Sequence, residues 1–280
     1  MHPLLSVPMS ASAYRTLAAL VYEHSRIRLG PDKQSLVANR LRSRLRALGL
    51  DSFDAYCERC QSSVGEDEIE QLVDLISTNH TRFFREPEHF THLTHRILPE
   101  WIPRLEADGT PFRVWSAATA SGEEAYTLAV VVSEFLRLRV MADWRVEASD
   151  ISRRMLARAE KGIYRMEDVG MVPPELLRRY FQKGVASRQG ACRIRPELRA
   201  HVRFHRINLF QSEYPVDRPQ HVIFCRNVMI YFDPPSRASL VRALSACLAP
   251  GGYLVVGHSE SLLGLRHDLE AVRQGIYRKP

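Results

Sequence analysis

The chain has 280 residues, enough for two modest domains at about 150 residues each. Hydrophobic residues make up 45% and charged residues 25%, which excludes wholesale disorder, and no apolar run approaches the ~20 residues that a bilayer-crossing helix needs. The formal net charge of +7, with arginines concentrated near the N-terminus and again between 188 and 206, calls for an anionic partner: nucleic acid, a membrane surface or an acidic protein face.

The start, Met1-His2-Pro3-Leu4-Leu5, lacks the charged head and long apolar stretch of a signal peptide, so a cytoplasmic protein without membrane insertion is expected. The five scattered cysteines do not form a secreted disulfide framework and read as reduced thiols. Residues 8–76 predict a small all-α domain, with apolar residues at three- and four-residue spacing in Tyr14, Leu17, Leu20 and Val21 and again in Leu36, Leu41, Leu45 and Leu48. Gly30-Pro31-Asp32 separates its first two helices, Gly49 stops the second, and Asp51-Ser52 caps the third. From Phe112 short β-rich runs alternate with amphipathic helices, the grammar of a βαβ sheet with mostly parallel strands. Strands are predicted at 112–117, 145–149, 202–205, 221–225, 253–256 and 275–278, and helices at 122–139, 152–161 and 235–248. A turn-rich stretch inside the second domain predicts a small antiparallel β-subdomain inserted at about 181–204.

Three places carry chemistry. At 114–125 a strand runs into the small-residue turn Ala-Ala-Thr-Ala-Ser-Gly and then a helix opening with Glu123 and Glu124. Small residues let a backbone pass close under a bulky ligand at the carboxyl edge of a parallel strand, and the two carboxylates favour a cationic group over a phosphate. Asp150, closing the next strand, suits ribose hydroxyls; as a bland alternative it caps the following helix. At 224–234 a buried strand empties into an aromatic loop holding Arg226, Asn227 and Tyr231, and the run 77–86, Ser-Thr-Asn-His-Thr-Arg-Phe-Phe-Arg-Glu, gathers amide, hydroxyl and guanidinium groups ahead of the sheet.

The runs 77–86, 115–124 (Trp-Ser-Ala-Ala-Thr-Ala-Ser-Gly-Glu-Glu), 148–151 (Ala-Ser-Asp-Ile), 161–164 (Lys-Gly-Ile-Tyr), 208–209 (Asn-Leu), 224–233 (Phe-Cys-Arg-Asn-Val-Met-Ile-Tyr-Phe-Asp) and 257–260 (Gly-His-Ser-Glu) occur in an order that resembles the chemotaxis receptor glutamate methyltransferases, the CheR family. The resemblance implies an α/β, Rossmann-like S-adenosylmethionine-dependent methyltransferase domain over 77–280, carrying the small β-subdomain and preceded by the helical domain. It implies that Asn79, Thr81, Arg85, Glu124, Asp150, Asn208, Leu209, Arg226 and Asn227 surround S-adenosylmethionine, and that Arg85 and Tyr231 face the reacting centre, with S-adenosylhomocysteine as product and no metal. The implied substrates are glutamates on the cytoplasmic helices of methyl-accepting receptors. Docking is then expected on the helical domain through Arg40, Arg42, Arg44 and Arg46, and the enzyme is expected to be a monomer.

Other readings are weaker. A catalytically silent scaffold would have lost cofactor residues that are retained here, and a nucleic-acid methyltransferase would need a base-binding motif or interleaved stacking aromatics that the sequence lacks. Cys57 and Cys60 have the CxxC spacing without a second ligand pair, and His89, His92 and His95, at helical spacing, read as helix-surface residues. His258-Ser259-Glu260 names a catalytic triad only by composition.

Overall fold

A computed structural model describes residues 8–62, 65–139 and 143–280. The chain forms two compact units, one holding the chain up to Thr78 together with Tyr231–Ser236, the other Asn79–Ile230 and Arg237–Pro280. No described helix is long and apolar enough to cross a membrane.

The first unit contains the helices α1 (Ala11–Ser25), α2 (Gln34–Leu48), α3 (Phe53–Gln61) and α4 (Gly65–Ile76). The stop signals act as their chemistry requires: Ser10 and Ser52 accept hydrogen bonds from the backbone N–H groups of Ala13 and Ala55, and Gly49 ends α2 with φ +67°. Leu17, Val21, Val37, Leu41, Phe53, Tyr56 and Leu72 are buried and form the apolar interior. At about 1.5–3 kcal/mol for each fully buried large side chain, they are the main term favouring assembly.

Charged groups also lie in this interior, Glu68 the most deeply. Glu68 is 3% exposed, and its carboxylate accepts from Arg44 Nε (2.8 Å) and Nη2 (2.7 Å) and from the Tyr56 hydroxyl (2.8 Å). Burial alone would raise the Glu68 pKa; the Arg44 and Tyr56 hydrogen bonds outweigh it and hold it below the usual carboxylate range. Arg40 Nη1 donates to the backbone carbonyls of Ile76 and, at 3.1 Å, Ser77, satisfying the exposed C-terminal carbonyls of α4 with a cation. Of the arginines expected to form a docking face, Arg40 and Arg44 therefore hold the domain together. The reason is geometric: residues four apart on α2 share the face that packs on α4, which places both guanidiniums beside α4 rather than in solvent. Cys57 and Cys60 are buried, and burial pushes both thiols up to about 11, the character of core cysteines. The segment Tyr231–Ser236 is tied into this unit by Arg28 N–H to Tyr231 O (2.9 Å) and the Tyr22 hydroxyl to Asp233 Oδ2 (2.5 Å).

The second unit begins with α5 (Pro87–His92), which runs through a π turn (Leu93–Ile97) into α6 (Leu98–Asp108). There follow β1 (Phe112–Ala117), α7 (Glu123–Leu136), β2 (Trp144–Asp150), α8 (Arg153–Lys161), β3 (Ile163–Arg165), α9 (Pro174–Tyr180), β4 (Phe181–Lys183), β5 (Ala191–Ile194), α10 (Pro196–Arg199), β6 (Val202–Arg206), β7 (Gln220–Phe224), α11 (Pro234–Cys247, whose residues up to Ser236 belong to the first unit), β8 (Leu248–Val255), β9 (Glu270–Arg273) and β10 (Ile276–Arg278). The main sheet has the order β6-β2-β1-β7-β8-β10-β9; its first five strands are parallel, and β10 pairs antiparallel with β8 and β9. Strands β1, β2 and β7 are buried almost throughout, as strands covered on both faces must be.

The antiparallel sheet β3-β5-β4 starts at Ile163, earlier than the insertion expected at 181–204, and 202–206 is the edge strand of the main sheet. A three-residue strand directly after the Gly162 cap of α8 is too short to show an alternation, and its partner β5 lies far along the chain. Strand β9, four residues long and exposed at every one, buries no face that an alternating pattern would mark.

Replacing Arg44 by Met should keep the packed stem and remove the bidentate partner of a buried carboxylate, leaving Tyr56 and the more distant Arg59 (3.5 Å), and should cost about 2–3 kcal/mol at pH 7 in urea unfolding. Because the folded-state pKa of Glu68 is depressed, the stability it contributes is present above its unfolded pKa and is lost as pH falls through the folded value. The gap between wild type and Arg44→Met should therefore narrow on acidification; an equal gap at pH 7 and pH 3 would contradict the assignment.

Candidate active site

Strands β6, β2, β1, β7 and β8 all end on one edge of the sheet, and the chain order reverses between β1 and β7, where parallel α/β sheets form a crevice. The loops leaving these strands carry most of the residues singled out in the sequence.

After β1 the backbone makes a tight turn with positive φ at Ala118 (69°), Ala120 (50°) and Gly122 (95°). A Cβ on Gly122 would come within 2.8 Å of the Ala159 Cβ and 3.0 Å of the Tyr164 hydroxyl, so α8 and β3 leave no room for a side chain there. The turn is braced from β2: the backbone N–H of Ala120 donates to Asp150 Oδ2 (2.8 Å), and that of Ser152 donates to Oδ1 (2.9 Å). Ser152 is the N-cap of α8, accepting from Met155 N–H, so Asp150 is not the cap but a buried carboxylate facing the turn. Trp115 Nε1 donates to Ser149 Oγ (2.9 Å), locking β1 to β2 just below this edge.

Glu123 and Glu124 go to different places. Glu123 is buried and accepts from the Ser121 hydroxyl at both oxygens (2.9 and 2.7 Å). Glu124 accepts from the Ser116 hydroxyl (2.7 Å) and pairs with Arg226 Nη1 (3.2 Å) across the switch point. Burial raises the Glu124 pKa, the Arg226 guanidinium opposing it. The Arg226 side chain is 1% exposed. Its Nη2 reaches Glu86 Oε2 at 3.0 Å and the backbone carbonyl of Arg85 at 2.5 Å, and its guanidinium lies over the rings of Phe90 (5.5 Å) and Phe224 (5.9 Å).

Asn227, with φ +58°, donates its Nδ2 to Glu86 Oε1 (3.0 Å). Burial would raise the Glu86 pKa, but the Asn227 hydrogen bond and the Arg226 charge bring it below the ordinary value. Arg85 is partly exposed, its Nη1 donating to His80 O (3.0 Å). Asn79 and Thr81 are half-buried in the segment ahead of this cluster. After β6, Asn208 Oδ1 accepts from Phe210 N–H (3.0 Å) and the Leu209 carbonyl accepts from the Tyr214 hydroxyl (2.5 Å), so both are set in a folded turn. Tyr231 belongs to the helical unit, whereas Arg85 belongs to the sheet unit.

Two further carboxylates at this edge have no signal in the sequence pattern. Glu86, in a left-handed conformation (φ 56°), links Arg226 and Asn227, and Glu260 accepts from backbone N–H groups in the same loop. Both stand inside runs that resemble the family, but nothing in the residue pattern tells a buried carboxylate from an exposed one. The histidine reading needs correction: His95 is exposed, but His89 is 1% exposed, neither of its ring nitrogens has a hydrogen-bond partner, and burial and Arg226 push its pKa down to about 3. The helix turns His89 towards Gly275 and the His258 ring, 4.8 Å away. Ligand-capable atoms of Glu86, His89 and His258 lie within 4.8 Å of one another. A cation there would compete with Arg226 and Asn227, which already occupy both Glu86 oxygens.

Residues 12–77 match the family described as CheR methyltransferase, all-alpha domain, and residues 79–277 match CheR methyltransferase, SAM binding domain. The chemotaxis protein methyltransferase of Salmonella typhimurium is 37% identical over 96% of this chain and 90% of its own length. That of Escherichia coli K12 is 36% identical over 96% and 91%, and that of Borreliella burgdorferi 34% over 98% and 96%. The junction between the two matches falls where the two compact units divide, and the resemblance read from the ordered motifs is borne out over nearly the whole length: the chain belongs to the CheR methyltransferase family.

Proposed function

We infer that this protein transfers a methyl group from S-adenosylmethionine to glutamate side chains on the cytoplasmic helices of chemotaxis-type receptors, giving methyl esters and S-adenosylhomocysteine. The observation that carries this reading is the junction of β1, β2 and β7, where a small-residue turn, a buried Asp150 and the Glu124–Arg226 pair meet at one sheet edge. The residues fit the cofactor: the turn admits close backbone approach, Asp150 offers acceptors to ribose hydroxyls, and Glu124 offers a carboxylate to an ammonium group.

S-adenosylmethionine supplies an electrophilic methyl on a cationic sulfur. The substrate glutamate is ionised at neutral pH, so its oxygen attacks directly and no general base is needed. The protein therefore contributes alignment and the exclusion of water, since holding nucleophile and methyl in line removes much of the entropic barrier. Arg85 is the group assigned to orient the incoming carboxylate through a charge-assisted pair, and Tyr231 to fix it by a hydrogen bond. On the helical domain, Arg42 and Arg46, one turn apart on α2, remain for docking an acidic receptor helix once Arg40 and Arg44 are assigned to internal contacts. A cytoplasmic monomer acting on protein, with no nucleic-acid substrate and no metal, completes the proposal.

The direct test is transfer of labelled methyl from S-adenosylmethionine to purified receptor cytoplasmic domains, read as base-labile ester; absence of transfer to any receptor domain would refute the activity. Asp150→Ala should weaken binding of S-adenosylmethionine and S-adenosylhomocysteine about tenfold or more, equivalent to at least about 1.4 kcal/mol, by calorimetry on protein shown to be folded. Unchanged affinity would remove Asp150 from the ribose role. Arg85→Ala and Tyr231→Phe should both reduce turnover at saturating substrates, Arg85→Ala also raising the cofactor requirement, and wild-type turnover in either would end its assignment. Arg42→Glu with Arg46→Glu should weaken receptor docking and slow methylation most at low salt, leaving cofactor affinity unchanged. Equal receptor binding at low salt would place docking elsewhere.

A further inference from the structure

We propose that Glu260 is a positioning residue for cofactor capture, its carboxylate folding the loop after β7 so that Asn227 is held in its left-handed conformation. The proposal rests on the reading that Arg226 and Asn227 face the cofactor.

The geometry is a buried carboxylate surrounded by backbone donors. Glu260 is 6% exposed. Its Oε2 accepts from the backbone N–H groups of Asn227 (2.7 Å) and Gly257 (2.6 Å), and its Oε1 accepts from Met229 N–H (2.7 Å). Its own N–H donates to Gly257 O (2.9 Å), closing a compact turn at the carboxyl end of β8. Carboxylate-to-backbone bonds of this length are charge-assisted and roughly twice as strong as neutral ones.

The loop needs such a clamp for two reasons. Asn227 sits at φ +58°, a region that L-residues other than glycine occupy at a cost, and the N–H groups of Asn227 and Met229 point away from any strand partner. The clamp also fixes what the neighbouring side chains do. With the Asn227 backbone held from one side by Glu260, its side-chain amide reaches Glu86 on the other, and Glu86 in turn carries Arg226. Space is as tight as the bonding: a Cβ on Gly257 would stand 2.5 Å from Asn227 Nδ2, 2.8 Å from Glu260 Oε2 and 3.0 Å from Asn227 N. Strand β8 is thereby coupled to the Arg226–Asn227 pair although it contributes no side chain to that pair.

Glu260→Gln tests the charge with little change in shape. Either orientation of the amide turns an NH2 group towards at least one backbone N–H, so one acceptor is lost and two donors meet. The expected result is a tenfold or larger loss of affinity for S-adenosylhomocysteine by calorimetry, with the receptor KM at saturating cofactor within twofold of wild type. If Glu260 acts through Asn227, the same substitution made in an Asn227→Ala background should cost no more than about twofold further, as coupled rather than additive sites behave. Wild-type affinity in folded Glu260→Gln, or fully additive losses in the double variant, would overturn the proposal. Should Glu260→Gln fail to fold, Gly257→Ala disturbs the same loop from the opposite side with the carboxylate intact, and it too should weaken the product complex at least fivefold; unchanged affinity there would also count against the clamp. Asp150→Ala measured alongside separates the two readings. Loss of affinity there with none in Glu260→Gln defeats this proposal alone, whereas no loss in Asp150→Ala or Asn227→Ala defeats the assignment of the cofactor site beneath it.

Discussion

The Arg226 guanidinium, buried between Glu86 and Glu124, is the interaction on which the sheet-edge site depends. A guanidinium this far from water is tolerable only when its charge and donors are met, and the cost of removing one member of such a group exceeds the gain from making it. Here two carboxylates, a backbone carbonyl and two aromatic faces meet its charge and its two Nη groups, while Nε is buried without a hydrogen-bond partner. The reverse also holds: Glu124, pushed up by burial and by the neighbouring Glu86 charge, is held down by the Arg226 guanidinium, so losing the guanidinium would push it further up. The loop after β7, the first turn of α7 and the segment before α5 are thus pinned to one point by charge.

Around that point, buried carboxylates act mainly on backbone. Asp150 holds the turn after β1 through Ala120, and Glu260 holds the loop after β7 through Asn227 and Met229. Both loops contain residues at positive φ, which short-range preferences disfavour, and each is stabilised by an acceptor from elsewhere in the sheet unit, Asp150 at the end of β2 and Glu260 in the loop after β8.

The helical unit shows the same economy of charge. Its arginine-rich α2 reads in one dimension as a basic surface, yet Arg44 neutralises a buried glutamate and Arg40 closes the end of α4. The unit also holds the segment Tyr231–Ser236, through Tyr22 and the backbone of Arg28. The chain therefore leaves the sheet unit at Ile230, is fixed in the helical unit, and returns at Arg237, so that the residue proposed to meet the substrate is carried by the same unit proposed to dock it.

Sequence alone determined the two-part organisation, the ends of α2 and α3 at Gly49 and Ser52, the alternation of strands and helices from Phe112, and the family through the order of its motifs. These are legible because caps, turns and periodicity act over a few residues, within reach of a reading along the chain. Tertiary structure decided which polar and titratable groups face inward: Arg40 and Arg44 on α2, His89 on α5, Glu86 and Glu260 beside Asn227. It also decided that the small antiparallel sheet begins at Ile163. None of these has a local signal, since burial of a charge depends on a partner supplied from elsewhere, as with Glu124 and Arg226, 102 residues apart. Only when the parallel strands align their carboxyl ends do such groups come within a few ångströms, and only then does it become favourable for them to leave water.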